Sequence, residues 1–281
     1  MWTSARTFTL AYSPCPNDTY IFAALTNDLL PEAPRVRVHL ADIEELNSAA
    51  VQARYELTKV SYGAIPYLMN DYRILRSGGA LGRGCGPLVV TRPGAAATLD
   101  DLRGKRIAIP GERTTAYMLL RLALGAAPDA VQMRFDAIIP AVASGAVDAG
   151  LIIHESRFTY AAAGLQQVAD LGEWWESQSG MPIPLGGILV RNDVSDEDAH
   201  EIDRSIQRSL AFSRSHESAV MPYIREHAFE MSDDVMRKHI GLYVNEYSDD
   251  LGESGITAVC ELFARARDAG ILSGTTEPRF V

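Results

Sequence analysis

Cysteine is scarce. The three in 281 residues, Cys15, Cys85 and Cys260, form an odd set with no CxxC pair, which excludes a disulfide scaffold and matches the usage of reduced, cytoplasmic proteins. Positive charge is also short: the formal net charge is −10, so neither nucleic acid nor an anionic membrane is expected as the main partner. A local basic patch could still bind a small anion. Lysine is rarer than arginine, with only Lys59, Lys105 and Lys238. No apolar run approaches the roughly 18 residues of a membrane-spanning helix. The start Met1-Trp2-Thr3-Ser4-Ala5-Arg6 leads into an apolar run too quickly broken by Pro14 for a secretory signal, and a cytoplasmic location is the expectation.

Several motifs are missing as well. Gly82, Gly84 and Gly86 do not complete GxGxxG, because Pro87 stands where the third glycine belongs, and Gly104-Lys105 lacks the upstream glycine of a P-loop. No GxSxG elbow occurs. His154-Glu155-Ser156-Arg157-Phe158 begins like a zinc-protease helix but carries Phe158 in place of the second histidine. Neither a metal nor a nucleotide cofactor is expected.

What is present is an alternation of short β-like runs with helical patterns. Strands are expected at Phe8–Ser13, Arg35–Leu40, Leu57–Ser61 and Tyr72–Leu75, with helices near Tyr20–Leu29, Glu44–Arg54 and Ile65–Met69. This is the signature of βαβ units and a mainly parallel sheet. A glycine-rich passage at 78–86 leads into a strand over Pro87–Thr91. A second series then runs through strands at Arg106–Ile109, Val131–Phe135 and Ala149–Ile153, with a helix opened by Gly111–Thr115 and another near Ile138–Ala143. Leu185-Gly186-Gly187-Ile188-Leu189-Val190-Arg191 echoes the run at 86–92, and such glycine-led pairs suit hinge crossings between lobes. The expected architecture is α/β with two lobes, residues 1–88 with 190–281 forming one and 89–189 an inserted second. Helices from Ser195 onward are expected to pack on the first lobe and carry little chemistry.

His154 closes an apolar strand, where open sheets present ligand-contacting residues, and its ordinary pKa of about 6.5 suits proton transfer. A plain hydrogen-bonding or capping role competes. His39, His200, His216, His227 and His239 lie on patterns that face solvent. Pro14 and Pro16 rigidify the turn after the first strand, where Asn17, Asp18 or Thr19 can cap the next helix. Gly111–Thr115 offers backbone amides and two hydroxyls at a helix start, fit for an anion or for ordinary capping by Thr114 or Thr115. Lys59 and Ser61, at a strand end, are similar candidates. Cys15 reads as a small packing residue before it reads as a nucleophile.

Four stretches, Ser13-Pro14-Cys15-Pro16-Asn17-Asp18-Thr19-Tyr20, Lys59-Val60-Ser61-Tyr62-Gly63-Ala64, Gly111–Ala116, and Ala146 to Glu155, together resemble the 1,4-dihydroxy-6-naphthoate synthases of the futalosine route to menaquinone. The resemblance spans nearly the whole chain. It implies a fold like type II periplasmic solute receptors and a lyase that turns cyclic dehypoxanthinyl futalosine into 1,4-dihydroxy-6-naphthoate and dihydroxyacetone without a redox cofactor. It makes His154 the proton-abstracting base. Lys59, Val60, Ser61, Thr114 and Thr115 would then hold the substrate's oxygen-rich groups from opposite walls, with Ser13, Asn17, Asp18 and Thr19 as further contacts. A non-enzymatic solute receptor and the related chorismate dehydratase are the competing readings.

Overall fold

The computed structural model describes residues 6–228, 232–273 and 277–281; the opening segment 1–5, read above for a targeting signal, lies outside them. Apolar residues build the first strand, β1 (Thr7–Tyr12), of which Phe8, Leu10 and Tyr12 are wholly buried. Pro14 and Pro16 end it and start helix α1 (Pro16–Thr26), with Pro16 in the first turn where no amide donor is needed. The capping expected of Asn17, Asp18 or Thr19 does not occur. Cys15 is the N-cap residue and makes no side-chain cap bond, while the Thr19 hydroxyl turns back to the Cys15 and Pro16 carbonyls at 3.1 and 3.3 Å.

The chain continues through β2 (Arg35–Leu40), α2 (Ile43–Val51), β3 (Leu57–Ser61), β4 (Tyr72–Ile74) and β5 (Ala80–Gly82). It then enters a second sheet with β6 (Leu88–Thr91), β7 (Arg106–Ile109), α3 (Thr115–Leu124), β8 (Asp129–Gln132), α4 (Phe135–Ser144), β9 (Ala149–Ile152), the short α5 (Ser156–Thr159), β10 (Gln166–Asp170) and α6 (Leu171–Ser179). Strand β11 (Ile183–Arg191) returns to the first sheet, whose order is β2-β1-β3-β11-β4 with β5 also paired to β11. The second sheet is ordered β10-β6-β9-β7-β8. Both are mixed. β1 runs parallel to β2 and β3, and β7 parallel to β8 and β9; the antiparallel pairings are those of β11 and β6 with their other neighbours.

The lobe boundaries expected at 88/89 and 189/190 fall inside β6 and β11. The β11 glycines have a packing role there. A Cβ on Gly187 would stand 3.1 Å from the Tyr62 ring, and one on Gly186 would stand 3.0 Å from Lys59 Cε. Close packing of two side chains on β3 and its end accounts for glycine at both positions. A similar approach joins the two sheets: Gly63 lies so near the Thr114 carbonyl that a Cβ would sit at 2.8 Å, and its amide donates to Thr115 Oγ1 at 3.0 Å.

Among the described residues, five helices follow: α7 (Asp196–Ser215), α8 (Glu217–His227), α9 (Asp233–Tyr243), α10 (Glu246–Asp249) and α11 (Gly252–Asp268). α7 starts where expected, Ser195 capping the Asp198 amide. α1 packs on α7, α8 and α9, around a core of Phe8, Phe22, Ile202, Ile206 and Met236. No helix of the described residues is long and apolar enough to cross a membrane.

Candidate active site

A cleft of about 690 Å³, its mouth included, lies between the two sheets and is walled by both and by α9. Alternation along β3 directs Lys59 and Ser61 into it, whereas Val60, wholly buried, joins the core with Tyr62. Val60, expected with them as a substrate contact, directs its side chain away from the cleft. Thr19 does not either, being inside α1 with its hydroxyl spent on the preceding turn. Ser13, Asn17 and Asp18 do line the cleft.

The Asp18 carboxylate organises this wall. It accepts from Ser13 Oγ at 2.8 Å, Asn17 Nδ2 at 2.8 Å and Lys59 Nζ at 2.9 Å, and Lys59 also donates to the Gly78 carbonyl at 3.1 Å. Only 4% of the Lys59 side chain and 3% of the Asp18 side chain are exposed. Ser61 is held through Asn47, whose Oδ1 accepts its amide at 2.9 Å and whose Nδ2 reaches its hydroxyl at 3.2 Å. Asn47 bonds in turn to the Glu44 carboxylate, which burial pushes above its ordinary pKa.

The facing wall comes from the second sheet. Thr114 caps α3, accepting from the Tyr117 amide at 3.2 Å and donating to the Gly111 carbonyl at 2.7 Å. Thr115 Oγ1 donates to the Leu185 carbonyl at 2.8 Å. Both border the cleft, yet their hydroxyl protons are already used by the protein. Arg157, three residues beyond His154, lines the cleft while bonded to the Gly86 carbonyl and Asp170, each at 2.6 Å.

His154 follows β9 with φ +56°, a left-handed conformation that few residues other than glycine take up without strain. Its ring stands edge-on to Phe135 at 5.2 Å, and Nδ1 lies 3.4 Å from Cys15 Sγ. Cys15 thus packs against His154 as well as into the core. Burial raises the pKa of its thiol well above the usual value, so it is a neutral partner. His154 also borders a second cavity of about 710 Å³ behind it, and so stands as a wall between the two. Among the described residues, no three His, Cys, Asp or Glu side chains are grouped to hold a metal ion.

α9 supplies a correction. His239, expected to face solvent, is wholly buried and lines the cleft with Tyr243, whereas His39, His200 and His216 are exposed and His227 half-buried. The signal was present: Met236, His239 and Tyr243 recur at helical spacing on the buried face of α9. The C-terminal helices therefore reach the site. Burial, with a smaller contribution from His154, lowers the His239 pKa to about 3. An unfolded histidine titrates near 6.5, so on acidification the unfolded chain takes up a proton that His239 refuses. Stability is thus lost as pH falls from about 6.5 toward 3. Between pH 7 and pH 5 the parent should lose about 2 kcal/mol more than a His239→Leu variant, measured by urea unfolding; equal losses would contradict the buried neutral imidazole.

The sequence model of a family described as menaquinone biosynthesis matches residues 8–268. A 1,4-dihydroxy-6-naphthoate synthase of Thermus thermophilus is 48% identical over 273 residues, covering 97% of this chain and 98% of the relative. The corresponding Streptomyces coelicolor protein is 46% identical, with 96% of each chain covered. The chain belongs to the 1,4-dihydroxy-6-naphthoate synthase family. A crystal structure of an Archaeoglobus fulgidus protein superposes with a TM-score of 0.90 at 36% identity, over 96% of this chain and all of that one. The alkanesulfonate-binding protein SsuA of Xanthomonas axonopodis, at TM-score 0.74 and 14% identity over 97% and 96% of the chains, shares the fold alone. The fold of this chain is that of periplasmic binding proteins.

Proposed function

We propose that this chain is a carbon–carbon lyase of menaquinone biosynthesis that converts cyclic dehypoxanthinyl futalosine to 1,4-dihydroxy-6-naphthoate and dihydroxyacetone, with His154 as the base. Membership of the synthase family supports the reaction. The observation that carries the mechanism is the placement of His154 at the end of β9, inside a cleft whose other wall holds Lys59, Ser61 and Asp18.

His154 takes a proton from a substrate carbon. Ring opening follows, and aromatisation of the bicyclic product drives it. Cys15 and Phe135 hold the ring, leaving Nε2 for the substrate. Lys59 and Arg157 are each paired with a carboxylate, Asp18 and Asp170, so what they offer an aromatic carboxylate in the cleft is N–H donors rather than net positive charge. Ser13, Asn17 and Asp18 on one wall, and Thr114 and Thr115 on the other, bring polar atoms from both sheets to one molecule, and a cleft that shuts out water protects a carbanion-like intermediate.

Incubating the purified protein with cyclic dehypoxanthinyl futalosine should yield naphthoate, detected by mass and absorbance. Binding without product would return the chain to the receptor class, and conversion of chorismate instead would identify the dehydratase.

A further inference from the structure

Nearly every polar group that walls the cleft is already engaged with the protein. Asp18, Lys59, Ser61, Thr114, Thr115 and Arg157 each have partners. His239 differs. It is wholly buried, it lines the cleft, and neither ring nitrogen has a hydrogen-bond partner. Buried polar atoms are rarely left unmatched, because they have given up water for nothing in return. Leu or Met would fill this place on the apolar face of α9 without that penalty. An unmatched imidazole at the edge of a cleft is accounted for when the partner arrives from outside.

Its position suggests which partner. The His239 and His154 rings lie 6.5 Å apart between centroids and 26° from parallel, and both line the same cleft. A carbon gives up a proton more readily when the electron pair left behind spreads onto an electronegative atom, and in an oxygen-rich substrate that atom is an oxygen. We propose that His239 touches the substrate and donates a hydrogen bond to the oxygen that gathers negative charge as His154 takes the proton. This assignment rests on the reaction proposed above. The proton passes from substrate carbon to His154, the electron pair moves to the oxygen, and His239 keeps its own proton throughout. χ2 of histidine is a soft torsion, so meeting such an oxygen needs the ring to turn but no change of rotamer at χ1.

Neutrality suits this role. Burial keeps His239 uncharged, and a neutral imidazole is both a donor and an acceptor. A cation at this point would oppose the charge His154 acquires as it becomes imidazolium. A neutral donor does not, and neutral imidazole is an established electrophile toward carbonyl oxygen.

The test compares His239→Leu and His239→Gln with the parent in turnover of cyclic dehypoxanthinyl futalosine. His239→Leu should lower kcat by about 10²–10³-fold, the loss usual for one donor to a developing oxyanion, while KM stays within about threefold. His239→Gln, which keeps an N–H donor, should recover about tenfold of that loss. A kcat for folded His239→Leu within threefold of the parent would overturn the assignment. A second measurement needs no variant: in protein labelled with ¹⁵N-histidine, saturating 1,4-dihydroxy-6-naphthoate should shift one His239 ring nitrogen, and unmoved resonances would also overturn it. Failure of the parent itself to turn over the cyclic substrate would sink the reaction proposed above, while the titration with naphthoate still decides whether His239 meets a ligand.

Discussion

His154→Asn should lower kcat for naphthoate formation by about 10²–10⁴-fold, the usual cost of losing a general base, with little change in thermal midpoint. The choice of asparagine matters because residue 154 sits at φ +56°. Asparagine and histidine both enter the left-handed region more readily than most residues, so this substitution removes the imidazole without adding backbone strain. His154→Ala would combine the two effects and blur the result. The ring lost is held through Nδ1 by Cys15 Sγ at 3.4 Å and against Phe135, which leaves Nε2 for proton transfer. Steady-state kinetics and a melting curve on the same preparation provide the check. Turnover within threefold of the parent would remove His154 from the chemistry.

Lys59→Met should destabilise the protein by about 3–5 kcal/mol, as expected when one partner of a buried ion pair is removed and the other is left charged. Asp18 would keep Ser13 and Asn17 as neutral donors but lose its ammonium partner, in a site where almost none of its side chain meets water. The cost comes from the stranded carboxylate more than from the missing attraction. Adding Asp18→Asn to Lys59→Met should therefore restore most of the stability, since the amide oxygen can still accept from Ser13. Urea unfolding of the two variants decides it. A double variant as unstable as Lys59→Met alone would show that the loss is one of packing.

Much of this architecture was legible along the chain. β2 and β3 and the second-lobe strand β7 match the expected spans, and Ser195 starts α7, because apolar periodicity and capping chemistry are local signals. β10 and α6 were not anticipated. β10 is a half-exposed edge strand with two glutamines, so its side chains carry no alternation to read. The mistaken cap at α1 has a different origin. Asp18 and Thr19 are capping residues by type, but Asp18 is drawn to Lys59, forty-one residues away, and no local rule anticipates that bond.

The candidate site divides in the same way. The order of residues along the chain determined the α/β alternation, the absence of a metal or nucleotide motif, and the arrival of His154 at a strand end, since each depends on neighbours within a few positions. Tertiary structure decided that Lys59 and Ser61 face the cleft while Val60 does not, that Cys15 meets His154 across 139 residues, and that His239 enters from α9 with both nitrogens unmatched. A helix face or a strand end can be read from spacing. What faces it across the cleft depends on how separate elements pack, and that is set by burial over the whole molecule.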